Sequence, residues 1–322
     1  DPAKKTSFVF RHRDGDPASR SSDLVYSIAE DDGGTLWIGT DGGGLNAFDK
    51  RSGRFRRYLH DPQNPRSLGS NVVWALYCDS KGVLWIGTEG GGLNRFDSAA
   101  GGFRRYRHDP KNEHSLNGNS VRAITEDSAG NLWIGTWDGG LSQFRPESDD
   151  FIQYKRNPGD PSSLGDNSVN CVFEDRDGIL WVGTGGAGLN RQYGNTGKFS
   201  HISRKEGLSG DNVFGILQDR EGFLWISTEN GLSRYDPNTG SCLNFGEADG
   251  LQKNEFSQNA YGKSRDETLY FGGPKGYSYF LPDRLRENSN IPPVLITEVS
   301  LLDKPIPVGR RIHGRTDRKS VV

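Results

Sequence analysis

One phrase recurs along this chain and limits what it can fold into. TLWIGTDGGGLNAFD (35–49) returns as VLWIGTEGGGLNRFD (83–97) and again as NLWIGTWDGGLSQF (131–144). The key Trp falls at 37, 85, 133, 181 and 225, and Tyr270 takes its place in a sixth copy, LYFGG. The spacings are 48, 48, 48, 44 and 45 residues. A fixed period of this length marks stacked supersecondary units, either a helix pair or a four-stranded blade. Gly, Thr and β-branched alternation fill each copy, which favours strands over helices.

Each copy parses into four short strands. In the third, VRAITED (121–127) is the first strand, LWIGT (132–136) the second, LSQF (141–144) the third and FIQYKR (151–156) the fourth. The first turn recurs as Asp31/Gly34, Asp79/Gly82, Asp127/Gly130, Asp175/Gly178 and Asp219/Gly222, with Asp capping and Gly free to take φ > 0. EDRDG (174–178) has a calcium-loop flavour, but the other copies lack its second Asp, so it reads as the same turn. Two residues after each Trp stands Gly39, Gly87, Gly135, Gly183, Ser227 or Gly272. Gly inside a strand marks a close approach of backbones. The Trp then packs one sheet on the next. The fold class is all-β, a β-propeller of four-stranded blades.

The hydrophobic fraction is only 32%, so the core must come from 7 Trp and 16 Phe at repeated positions. Lys and Arg (40) nearly balance Asp and Glu (42), with no basic stripe, so a nucleic-acid partner is excluded. No apolar stretch reaches membrane-helix length. Cys78, Cys171 and Cys242 are odd in number and far apart, so they read as packing residues. His60 and His108 repeat in YLHDP and YRHDP at a turn, and neither a metal site nor a cofactor is expected.

NSVRAITEDSAGNLWIGTWDGGLSQF and NVFGILQDREGFLWISTENGLSRYD resemble the two-component-regulator propeller repeat. The resemblance covers about residues 20–282, and the six blades, the sixth degenerate, are placed at 20–285. It implies a ligand-sensing periplasmic region of a membrane-bound sensor histidine kinase, the kinase itself lying outside this chain. It further implies an oligosaccharide ligand, a homodimeric parent, and a partner propeller or sandwich domain in the same chain. IPPVLITEVSLLDKPIPV resembles the start of a Tyr-rich immunoglobulin-like module, taken as 291–310, with Val294, Ile296 and Val299 alternating as in a strand. FVFRHRDGDPASRSS parallels FRRYRHDPKNEHSLN, so residues 1–19 read as the outer strand and loop of a preceding, truncated blade. A seven-bladed ring would then be open by three strands, with six-bladed closure the alternative. Residues 317–322 read as a non-native tail.

Scaffold positions are constant between copies, and function can live where copies differ. Eleven residues before each Trp stand Tyr26, Trp74, Arg122, Asn170 and Phe214, with Ser257 as the sixth member. Four after each Trp stand Asp41, Glu89, Trp137, Gly185 and Glu229. Propeller geometry puts both sets at one mouth of the central channel. Aromatic faces beside Arg, Asn and carboxylates suit a sugar, and Arg122 suits a uronate or sulfate held bidentately. The same residues would also serve as a channel plug or a contact to another domain. A protein-interaction scaffold is therefore the second function, and a propeller lyase or glycosidase the third. No rim His and no Ser-His-Asp arrangement supports an enzyme, so no catalytic residue is assigned.

Overall fold

The computed structural model describes residues 9–16, 18–97, 99, 101–194 and 196–285, and the backbone of 300–301, 304–305, 311–312 and 315–316. Two compact units divide the chain at Asp283. The first is a β-propeller. Five four-stranded antiparallel sheets each follow the order of the chain. Their innermost strands are Val25–Glu30, Val73–Cys78, Val121–Glu126, Val169–Glu174 and Val213–Gln218. A sixth sheet, innermost strand Tyr261–Lys263, has three strands among the described residues. Successive innermost strands touch one another from the first blade to the sixth. In the third blade the outermost strand is Asp150–Tyr154, shifted slightly from its expected 151–156.

The Trp does what its spacing requires. Trp37 packs with Val73, Leu84 and Ile86 of blade 2, and Trp85 with Val121, Leu132 and Ile134 of blade 3. Trp133, Trp181 and Trp225 repeat the contact around the ring. Burying one such side chain contributes roughly 4–6 kcal/mol as an upper bound. The Gly two residues on makes room for it: a Cβ on Gly135 would lie 2.5 Å from Val169 Cγ1 of the next blade.

The turn Asp has a second task. Asp175 Oδ1 accepts the N–H of Ile179 at 2.9 Å, while Oδ2 accepts the indole N–H of Trp181 at 2.7 Å. Asp31, Asp79, Asp127 and Asp219 bind Trp37, Trp85, Trp133 and Trp225 at 2.7–2.8 Å. Each buried indole N–H therefore has a charged acceptor built into the hairpin that presents it. Blades are also clasped from turn to strand. Glu126 accepts the N–H and hydroxyl of Ser80, and Glu174 those of Ser128.

All three cysteines are free thiols. Cys171 lies in the core cluster with Trp181, and burial pushes its thiol up to about 12. Residues 174–178 form the same Asp/Gly turn as the other blades, as expected. Among the described residues no group of three His, Cys, Asp or Glu is placed to hold a metal. No helix there is long and apolar enough to cross a membrane.

At the N-terminal side, Phe10 stands edge-on to Phe48 and Phe55 of blade 1, and His12 bridges to Arg20. The second unit holds two short ladders, Ser300–Leu301 with Lys304–Pro305 and Arg311–Ile312 with Arg315–Thr316. The expected strand carrying Val294, Ile296 and Val299 lies outside the described residues, as does the 317–322 tail.

Candidate functional site at the channel mouth

The innermost strand of each complete blade pairs with its neighbour in a broken register. Val73 faces Thr88 and Ala75 faces Gly87, leaving Trp74 without a partner. The same break falls at Tyr26, Arg122, Asn170 and Phe214. These are β-bulges, which carry one unpaired residue and re-aim its side chain. The bulge also resets the alternation, so Val73 and Leu76 both pack toward the Trp37 cluster. The variable positions are thus the ones freed from pairing at the inner rim.

The second set is stapled to the first. Trp137 donates its backbone N–H to Ser120 O at 2.9 Å, and Asp41, Glu89 and Gly185 make the same bond to Leu24, Val72 and Ser168. Trp74 and Trp137 stack at 5.7 Å between centroids. The Arg122 guanidinium carbon lies 3.1 Å from the Trp137 ring centre and 5.3 Å from that of Trp74. Arg122 Nη1 donates to Asn170 Oδ1 at 2.8 Å, while its buried Nε has no hydrogen-bond partner. Desolvation pulls the guanidinium down to about 10, opposed by Glu89. Tyr26 donates to Asp41 at 3.3 Å, and burial together with that carboxylate raises its phenol.

Tyr26, Trp74, Arg122 and Trp137 line one open hollow of about 800 Å³, shared with Val25, Ser27 and Ile28 of blade 1 and residues 257–261 of blade 6. Asn170 is 1% exposed and lies beneath Arg122, held by Asn212 and Val213, so it orients the guanidinium. Four further expected members do not line the hollow: Asp41 reaches it only through its bond to Tyr26, and Glu89 only through its charge on Arg122. Phe214 packs into the core between blades 5 and 6, where the bulge turns an apolar side chain toward Trp225 and Phe271. Glu229 accepts the backbone N–H groups of Asp211 and Asn212, which anchors its carboxylate to its own loop.

Blade 6 adds a residue the sequence reading passed over. Ser257 does line the hollow, but Asn259 is the residue eleven before Tyr270. Asn259 sits at φ 58 and donates to Trp74 O at 2.9 Å across the channel. A non-Gly residue in the left-handed region is strained and is a common feature of functional sites. The eleven-residue offset alone would have found it.

Five stretches, 19–42, 67–90, 115–138, 163–186 and 207–230, match the family described as two component regulator propeller. These five stretches carry two-component regulator propeller repeats. Over 92% of its length this propeller chain is similar to a structure described as the extracellular domain of a hybrid two component system from B. thetaiotaomicron. Identity there is 26%, TM-score 0.56, and 45% of that chain is covered. A curated relative, Histidine kinase P4 of Formosa agariphila, is 30% identical over 103 residues, which is 32% of this chain and 8% of that protein. The chain thus spans less than half the length of these relatives. A virginiamycin B lyase structure from Staphylococcus aureus, at 17% identity and TM-score 0.56, covers 80% of this chain and 84% of its own, and shares the fold alone.

Proposed function

We propose that this propeller is the ligand-sensing part of a periplasmic, membrane-anchored sensor histidine kinase, and that it recognises an oligosaccharide at the channel mouth. One observation carries the reading: two stacked Trp rings and a desolvated Arg line an 800 Å³ hollow at the variable bulge positions. Sugar C–H faces pack on aromatic rings, while Arg122, Tyr26, Asp41 and Glu89 offer donors and acceptors for hydroxyls. Ligand binding favours one arrangement of the propeller against a following sandwich or a partner subunit, and so biases an equilibrium. Phosphoryl transfer belongs to a kinase domain outside this chain.

The domain proposal follows the two uncovered blade faces. Ile28 is 62% exposed, whereas its counterparts Val172 and Ile216 are buried against the preceding blade. Tyr277 and Tyr279 on blade 6 are each 65% exposed, where the other blades carry a covering neighbour. On this reading residues 1–19 are the outer strand and loop of a preceding, truncated blade, and 291–310 begin the sandwich module. A glycan-array screen of the soluble propeller tests the sensor reading. It predicts hits from one sugar class that Trp74→Ala abolishes. Hits unchanged in that variant would sink the reading.

A further inference from the structure

Neighbouring blades are clasped at the turn end, and one seam lacks the clasp. Between blades 2 and 3, Glu126 accepts the N–H of Ser80 at 2.7 Å and its hydroxyl at 2.8 Å. Between blades 3 and 4, Glu174 does the same for Ser128 at 2.6 and 2.9 Å. Between blades 4 and 5, Gln218 Oε1 accepts the N–H of Arg176 at 3.0 Å, and Arg176 reaches the carbonyl of Arg220. Between blades 5 and 6, Lys263 Nζ donates to Gln218 O at 3.2 Å, and Arg220 lies 3.9 Å from Glu267. Between blades 1 and 2 the two positions hold Asp32 and Cys78. Neither side chain makes a hydrogen bond or ion pair among the described residues. Asp32 has no hydroxyl to give, and a thiol is a weak acceptor. Burial, and then the carboxylates of Asp31, Asp32 and Asp79, push that thiol up to about 11. The acceptor position reads Glu30, Cys78, Glu126, Glu174 and Gln218 along blades 1–5, so the break falls at this one seam.

A hollow of about 570 Å³ lies across the seam. Asp31, Asp32 and Trp37 line it from blade 1, and Val83, Phe96 and Arg104 from blade 2. The other end of the same seam is tied like its siblings. Gly44 N–H donates to Asn71 O at 2.7 Å, as Gly92, Gly140 and Gly188 do to the next blade at 2.8 Å. Trp37 packs between the two ends, against Val73, Leu84 and Ile86. The seam is thus bonded at the mouth end, packed in the middle and open at the turn end.

We infer that this seam is a hinge: blade 1 tilts on blade 2 about the Gly44–Asn71 bond and the Trp37 contact, and the cleft opens and closes at the turn end. Blade 1 carries Tyr26 and blade 2 carries Trp74, both of which line the hollow at the mouth. The tilt therefore changes their separation. The hinge stands on the seam alone. Its use in sensing rests on the reading of the mouth as a sugar site: a ring held between Tyr26 and Trp74 favours one tilt, and such a bias is what a signal requires.

Backbone amide exchange, followed by NMR on the whole chain, tests the hinge. Asp31 and Thr35, Asp79 and Val83, and Asp127 and Asn131 are equivalent amide pairs, each held by the same two turn bonds. A difference between them reports the seam and not the turn. In the native protein the blade 1 pair is expected to exchange about tenfold faster than the other two, which is the share of one charge-assisted clasp. The variant Asp32→Ser/Cys78→Glu rebuilds the clasp of the next two seams and removes the difference. Asp32→Ser alone supplies no acceptor and leaves it. Glu126→Cys, in the opposite direction, speeds Asp79 and Val83 about tenfold. Equal exchange at the three seams of the native protein overturns the hinge, and so does an unchanged rate in a double variant that melts cooperatively. The native rates and Glu126→Cys decide the matter even where the double variant fails to fold. Relaxation dispersion at the Tyr26 amide reads the coupling: it is expected in the native protein and absent from the double variant. A quiet Tyr26 beside a fast-exchanging turn overturns the hinge's part in sensing and leaves the sugar reading standing.

Discussion

At the scale of residues, the Asp–Trp pair explains why the repeat keeps its phrase. Asp175 is 5% exposed and has both oxygens engaged, one on the turn and one on the indole of Trp181. Asp175→Ala strands a buried N–H, and the expected loss is about 2–3 kcal/mol. Urea unfolding checks it, with the midpoint falling at unchanged m. Asp175→Asn keeps an acceptor for the indole and is expected to lose less. Cys171 gives a second check. With its thiol at about 12, the native protein should resist alkylation there at mildly alkaline pH and accept it after denaturation. Rapid labelling of the native protein would contradict the packing of blade 4 against blade 5. The Trp and its turn were legible because both repeat at fixed offsets. The bond between them was not, because a capping Asp and an indole acceptor are the same residue type in sequence.

At the scale of elements, the bulge decides which side chains reach the channel. Arg122 occupies the unpaired position, and the strand beyond it carries Ile124 back toward the Trp85 cluster. Arg122→Ala removes a side chain and leaves the register intact. Deleting Arg122 removes the bulge and joins Val121, Ala123 and Ile124 into a regular ladder on Thr136, Gly135 and Ile134, each on the face it already has. Both variants are therefore expected to melt near the native temperature; a deletion that loses a large part of the cooperative transition would show that the bulge itself holds the strand in place. The close approach at Gly135 makes a companion prediction. Gly135→Ala overpacks against Val169 by about 1–3 kcal/mol, and Val169→Ala in the same chain relieves part of that cost. Strand order and turn positions could be read from the sequence, since turn residues and alternation are local. The bulge could not, because it is a property of pairing. That is why Phe214 and Glu229 were grouped with the rim: their offsets match, but Phe214 is apolar enough to join the core, and Glu229 finds N–H donors in its own loop.

At the scale of the whole molecule, five Trp-centred interfaces hold six blades in sequence, and among the described residues Ile28 on blade 1 and Tyr277 and Tyr279 on blade 6 stay exposed at the two ends. Glu30 shows the consequence. Its counterparts Glu126 and Glu174 clasp the turn of a preceding blade, whereas Glu30 pairs with Lys50 of its own blade. Uncovered apolar faces and free strand edges are liabilities for association. A chain extended by one further blade should melt higher and protect Tyr277 and Tyr279 from solvent, as read by calorimetry and by tyrosine modification. No change in either would argue that the ring closes on six. The central claim concerns the mouth, and calorimetric titration tests it most directly. The extended propeller is titrated with the best glycan from the array, beside the Trp74→Ala/Arg122→Ala/Trp137→Ala variant. The account predicts a saturable heat in the native protein and none in the variant. Equal heats from two cooperatively melting proteins would contradict it, and the bulge residues would then stand as a contact between domains.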